Sequence, residues 1–272
     1  MLDAIKDFFG GAAFCQCAAD IWNTVSSLFT SLLLLNPQKA GGGAPWGFVN
    51  NIYPYFLTIA SSLLVLFFII GYCRENIDLK QPLTFEKSMT MILRLLIANG
   101  LMTGILTYIP IVFRAGVSLT QIVMGSSYQE IVVPEITEEW SFLGFILGFI
   151  TICVAIAASV VLIMTVYTRF IKILLIIPLA PIAMSSFAGG GTMSQTGIAW
   201  IKTFLGYVFE VVVMSIAFGI GNTLVGGADI IPDKYEFVTA YARVSLNMII
   251  AMVAIVGAVK GAEATLRRAM SL

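Results

Sequence analysis

Hydrophobic and polar positions alternate along this chain in two ways. Over residues 21–32, Ile21, Trp22, Val25, Leu28, Phe29 and Leu32 recur at helical spacing, while Asn23, Thr24, Ser26, Ser27, Thr30 and Ser31 fill the other face. That period predicts an amphipathic helix, lying on a membrane or packed against a partner. Asn36-Pro37 ends it, and Ala40-Gly-Gly-Gly-Ala-Pro reads as a linker. Residues 1–45 are therefore expected to form an outward amphipathic helix with a Gly/Pro linker, and residues 46–272 a polytopic membrane bundle.

Beyond the linker the pattern changes to long apolar runs. A membrane-crossing helix needs about 20 apolar residues; residues 52–73, 88–113, 140–167 and 198–224 reach that length, and the shorter run 244–259 is read as a fifth and last span. Tyr53, Tyr55 and Tyr72 flank the first as an aromatic belt would. The second carries Arg94 and the pair Gly100/Gly104, and the third the pair Gly144/Gly148. Lys202 lies near the start of the fourth and Glu210 near its middle; Gly257/Gly261 close the fifth, with Lys260, Glu263, Arg267 and Arg268 beside them. The small-residue pairs have the spacing that lets helices approach closely. Arg94 and Glu210 are costly in hydrocarbon, so they are expected to face each other or a shared polar interior. Residues 114–139, with Glu130, Glu135, Glu138 and Glu139, and the acidic loop 226–241 are expected to lie outside the bilayer.

The central stretch Arg169-Phe-Ile-Lys-Ile-Leu-Leu-Ile-Ile-Pro-Leu-Ala-Pro-Ile-Ala-Met-Ser-Ser-Phe-Ala-Gly-Gly-Gly fits neither pattern. About 16 residues lie between Lys172 and Gly189, and Pro178 and Pro181 each remove a backbone donor in the middle. It is read as a membrane-embedded hairpin, which survives only where protein or a water-filled cavity surrounds it. The alternative is a proline-kinked ordinary span, giving six crossings. Lysine and arginine placement separates the two, because these residues favour the cytoplasmic side in short loops. With a hairpin and an outside amino terminus, nine basic residues fall on the cytoplasmic side and five outside, Arg94 being assigned to neither; with six spans the split is seven to seven.

Composition supports the membrane reading and narrows the chemistry. The chain is 59% hydrophobic and 11% charged, where soluble domains have about a quarter of their residues charged. It holds no histidine, which removes imidazole catalysis and metal ligation. Cys15, Cys17, Cys73 and Cys153 lack metal-site spacing, and Cys73 and Cys153 are expected to be buried as small hydrophobes. No catalytic, metal or cofactor residue is assigned. The amino terminus is expected to lack a cleavable signal, having no basic start, and no soluble domain is expected after the last span.

With this layout, the chain resembles the TrbL-like polytopic inner-membrane subunit of type IV secretion and conjugation systems, in its short Gram-positive form. The residues that carry the resemblance are the outward amphipathic helix, Arg169 closing the third span, Ile-Pro-Leu-Ala-Pro-Ile-Ala, the small-residue loop after it, and Trp200 opening the next span. The resemblance covers most of the chain, although family members often continue into a soluble tail. It implies a structural component of a membrane channel or its base rather than an enzyme. Its partners would be other secretion-system membrane subunits, a separate ATPase, further copies of itself, the lipid bilayer and, transiently, translocated single-stranded DNA. The chain has no Gly-x-x-x-x-Gly-Lys-Ser/Thr motif of its own. Two other classes remain open from the residues: a small-solute or ion transporter, on the broken helix and Glu210, and a membrane-embedded enzyme.

Overall fold

A computed structural model describes residues 12–77, 85–125, 142–226 and 240–269. The acidic segments with Glu130, Glu135, Glu138 and Glu139 and with Asp229, Asp233 and Glu236 lie outside the described residues. The long elements are α1 (Ala12–Leu33), α2 (Ala44–Ile77), α3 (Phe85–Met124), α4 (Phe142–Ile176), α6 (Gln195–Gly226) and α7 (Ala240–Ala269). A short helix, α5 (Ala180–Ser185), and a 3-10 turn, Ser186–Gly189, lie between α4 and α6. Among the described residues five helical stretches are long and apolar enough to cross a membrane: Pro37–Glu75, Phe85–Met124, Gly144–Ile176, Gln195–Leu224 and Ala242–Ala269. The chain is an all-α, multi-pass membrane protein. The six-span alternative fails on length, since six residues of helix rise only about 9 Å against a hydrocarbon core of about 30 Å.

The spanning helices run further than their sequence pattern implied, α3 and α4 among them. α3 continues past Arg114 to Met124 because Phe113, Gly116, Thr120 and Met124 keep one face buried at helical spacing, so the amphipathic stretch after residue 113 is the end of the same helix. α4 continues past Tyr167 to Ile176 and absorbs Arg169 and Lys172 into its last turns.

The fold divides into two compact units. One comprises Met1–Leu34, Val117–Thr168 and Glu210–Leu266. In it α1 buries Cys15, Ala18, Ala19, Trp22, Ser26, Phe29 and Leu33. This face is rotated from the one expected: Ser26 is inside and Leu28 is 46% exposed. The helix begins earlier than its polar pattern shows, and the small Ala18 and Ala19 set the contact face. α1 packs on the chain's own helices, with Phe14 edge-on to Phe145 at 5.3 Å, Phe29 against Phe218 at 5.1 Å, and Cys15 Sγ 3.3 Å from Ser245 Oγ. Burial pushes the Cys15 thiol above its ordinary pKa, and the Ser245 hydrogen bond offsets part of that rise. Cys73 and Cys153, expected inside, are exposed; an outward helix face of a spanning helix is itself apolar, so hydrophobic neighbours in sequence do not imply burial.

The other unit comprises Leu35–Gly116, Arg169–Phe209 and Arg267–Leu272. Its core joins α2, α3, the end of α4, the α5 segment and the start of α6 through Leu64, Met102, Phe113, Ile177, Met184 and Phe204, among others. Trp46, Phe113, Phe204 and Trp200 follow one another at ring separations of 6.2, 6.0 and 5.1 Å. Tyr53, expected as a belt residue, is instead 4% exposed and donates its hydroxyl to the Met102 carbonyl at 2.7 Å. Tyr55 and Tyr72 remain outward, as a belt requires.

The three glycine pairs expected to set helix contacts do not behave alike. Gly144 and Gly148 are both buried on α4, on either side of the Phe145 that meets Phe14, so this pair does face the interior of its unit. Gly100, Gly257 and Gly261 are exposed, and a Cβ on any of them would meet nothing within 4 Å; Gly104 meets only Tyr108 of its own helix. Those two pairs make no close helix approach within the described residues, so of the two expected uses, contact within the subunit or between copies, the first does not apply to them. Four-residue spacing puts two glycines on one face of a helix without stating whether that face turns inward.

The closest approaches instead use glycines outside any such pair, all in the second unit. A Cβ on Gly71 would lie 2.7 Å from the Gly189 carbonyl oxygen, and one on Gly197 would lie 2.5 Å from Phe187 Cε2 and 3.0 Å from the Ala183 oxygen. Gly71→Ala and Gly197→Ala are expected to destabilise by about 1–3 kcal/mol through overpacking, whereas Gly257→Ala should gain up to about 1 kcal/mol of helix propensity. Thermal unfolding in detergent checks the contrast, and equal effects at all three sites would refute it.

Candidate functional site

The broken segment between α4 and α6 is where sequence and structure concentrate unusual chemistry. α4 ends at Ile176 because Pro178 has no N–H to continue the ladder and restricts the residue before it. Pro181 sits in the first turn of α5, where a missing N–H costs nothing. The chain turns over residues 177–179, with Ala180 N–H bonding the Ile177 carbonyl at 3.0 Å. That bond leaves the Ile176 carbonyl, which a continuing helix would have satisfied from Ala180. Trp200 supplies the substitute: its indole Nε1 donates to the Ile176 oxygen at 3.0 Å, while its ring stacks on Phe204.

The return of the hairpin is fastened in the same way. Gly197 N–H, one of the first-turn donors of α6, donates to Ser186 Oγ at 3.1 Å, and that hydroxyl donates to the Ala183 carbonyl at 2.7 Å. Pro178, Ala180, Pro181, Ser185, Ser186 and Gly189 are all buried. Protein thus surrounds the irregular backbone, as apolar surroundings demand.

Two basic clusters belong to this unit. In the first, Arg169 is 2% exposed, donates Nε to the Tyr207 carbonyl at 3.3 Å and lies 5.5 Å over the Phe170 ring. Lys172 and Arg267 approach the Tyr207 ring at 5.9 and 5.8 Å, and Arg267 Nη2 donates to the Tyr207 hydroxyl at 3.4 Å. Such cation–ring contacts are favourable at this range. The sequence reading singled out Arg169 and missed Tyr207, whose place among three cations depends on packing between segments distant in sequence.

The second cluster lines a cleft of about 400 Å³ formed by Gly71, Arg74, Glu75, Lys87, Thr90, Arg94 and Gly189–Gly191. Arg94 Nη1 donates to Glu75 Oε1 at 2.7 Å, with both side chains over a third exposed. Its carboxylate partner is thus Glu75 rather than the expected Glu210. Glu75 lies on α2, which continues to Ile77, past the apolar run that ends at residue 73. Glu210 is 2% exposed and is itself engaged rather than orphaned. Arg74 Nη1 donates to Thr192 Oγ1 at 2.9 Å. Gly190 and Gly191 have φ of 61° and 51°, and a Cβ on Gly190 would lie 2.7 Å from Arg94 Nη1, so the turn requires glycine twice over. Lys202 is exposed on α6 and joins neither cluster. Among the described residues no group of three or more Cys, Asp or Glu is placed to hold a metal ion.

The fold and this site define the class: a helical, multi-pass membrane protein with a buried break between two of its long helices. No protein-family model matches the chain, and comparison with curated proteins and with solved structures finds no match. The hairpin's fastening makes a direct prediction. Trp200→Phe keeps the stack on Phe204 and removes only the donor to Ile176, so it should cost about 1–3 kcal/mol; a melting temperature in detergent equal to that of the parent would refute this.

Proposed function

We propose that the chain is a membrane subunit of a type IV secretion or conjugative DNA-transfer machine, acting by assembly as a structural part of the channel or its base. It works beside other membrane subunits, in several copies, with energy from a separate ATPase. The observation that carries this reading is that, apart from the amphipathic helix, the residues behind the family resemblance belong to one compact unit. Arg169 is buried on Tyr207, the Pro178/Pro181 run forms the break, the glycine loop closes it, and Trp200 fastens it to Ile176. These features build an interior scaffold rather than a reactive pocket.

An affinity-tagged full chain, extracted from its own bacterial membrane in mild detergent, should bring down other membrane proteins and an ATPase, and deletion of the chain should abolish transfer of a mobilisable plasmid. Recovery of the chain alone, with transfer intact in the deletion strain, rejects the reading. Solute flux in vesicles holding only this chain would favour the transporter alternative, for which buried Glu210 and the broken helix are the motivating features.

The proposed orientation in the plasma membrane puts the amino terminus outside and the carboxy terminus in the cytoplasm, on the nine-to-five division of basic residues. Single cysteines at Gln195, Val132 and Gly227, in a background with the four native cysteines replaced, test it with an impermeant thiol reagent on intact cells. Gln195 is chosen over the neighbouring Gly191 because it is exposed and free of the positive φ. Protection at 195 with labelling at 132 and 227 is expected; comparable labelling at all three overturns the orientation.

A further inference from the structure

The cleft beside Gly190 gathers three cations. Among the described residues its lining carries Arg74, Lys87 and Arg94 against one acid, Glu75. Arg94 is held by Glu75 and Arg74 by Thr192, each through one side-chain hydrogen bond, and a guanidinium has five N–H donors, so most of this donor capacity is left for a ligand. The Gly191 N–H makes no backbone hydrogen bond among the described residues and adds a backbone donor at the same turn. The surrounding field has the same sign. The segments of this unit contain eleven of the chain's fifteen basic residues and three of its fifteen acidic ones. An anion with several acceptor oxygens fits this cleft.

We propose that the cleft binds the phosphate headgroup of an anionic phospholipid. The choice of a lipid over a nucleic acid rests on what borders the cleft. Ile69, Ile70 and Tyr72 on α2 and Met89, Ile92 and Leu93 on α3 are 37–57% exposed, and they stand within a few residues of Arg74 and Arg94 on helices long and apolar enough to cross a membrane. A headgroup in the cleft would lay its acyl chains along that apolar surface. Basic pockets between spanning helices are a known chemical solution for anionic headgroups. The inference stands independently of the secretion reading.

The test uses the full chain purified in a neutral maltoside detergent and titrated with phosphatidylglycerol, phosphatidylcholine, inorganic phosphate or a single-stranded oligonucleotide. Binding is read by retained lipid in native mass spectrometry and by the shift in thermal unfolding. Phosphatidylglycerol should be retained in preference to phosphatidylcholine. Affinity should fall roughly fivefold per charge removed, so about 25-fold in Arg74→Gln/Lys87→Gln. The equal charge change Lys39→Gln/Lys260→Gln, at positions away from the cleft lining, should leave it unchanged. Equal losses in the two double variants would mean a general charge effect and overturn the site. Competition by inorganic phosphate at matched concentration would assign the cleft to free phosphate, and competition by the oligonucleotide to nucleic acid; either overturns the lipid. Because the competition arms need only the parent chain, a variant that fails to fold leaves the proposal open to refutation.

Discussion

An apolar chain cannot leave backbone donors and acceptors without partners, and the break after Ile176 creates several at once. In water such groups would be solvated; in hydrocarbon each would cost several kcal/mol. The described structure meets this demand from within. Trp200 takes the Ile176 carbonyl, Ser186 takes the Gly197 amide, and Ala180 turns back on Ile177. Two side chains therefore do what a continuous ladder does elsewhere in these helices. Both must be brought within hydrogen-bonding distance, and the glycine contacts at Gly71/Gly189 and at Gly197 are what allow it.

That constraint explains which parts of the molecule the sequence disclosed. Pro178 and Pro181 act locally, through a missing N–H and a fixed φ, so the break could be read from the residues alone, and with it the number of spanning helices. Apolar run length is equally local, and the five runs correspond to five helices. The rotation of α1 was not legible, because a 3.6-residue period predicts a helix without stating which of two adjacent stripes faces inward. Ser26 and Leu28 exchanged roles once Ala18 and Ala19 had set the contact. The glycine pairs pose the same ambiguity: identical spacing leaves Gly144 and Gly148 inside and Gly257 and Gly261 outside. Tyr53 was misread for a related reason, since an aromatic residue near the end of an apolar run can anchor at an interface or bond inward, and only the neighbouring Met102 carbonyl decides.

The pairing of charges was the least legible feature. The expected cost of an isolated charge in hydrocarbon made a partner for Arg94 necessary, and Glu210 was the deepest acid on offer. Arg94 does have a carboxylate partner, but a different one, because α2 extends to Ile77 and carries Glu75 alongside it. Helix ends are where sequence reading is least secure, and a single extra turn was enough to supply a different carboxylate. Since both side chains are over a third exposed, this pair is worth little as a clamp. Its physical effect is to orient the guanidinium beside Gly190.

Charge is also sorted between the two units, and the zero net charge of the whole conceals it. One unit's segments hold eleven basic and three acidic residues; the other's hold four basic and twelve acidic. In a soluble protein such sorting would create a field for steering partners. In a multi-pass protein it does a second thing, because lysine and arginine near helix ends set which side of the membrane a loop occupies. Arg169, Lys172 and Arg267 gather on Tyr207, and Arg74, Lys87 and Arg94 gather at the glycine turn, all in the basic unit. The hairpin's irregular backbone and the basic residues are thus held in the same unit, so a substitution that loosened the hairpin would also disperse the cations that its turn helps to position.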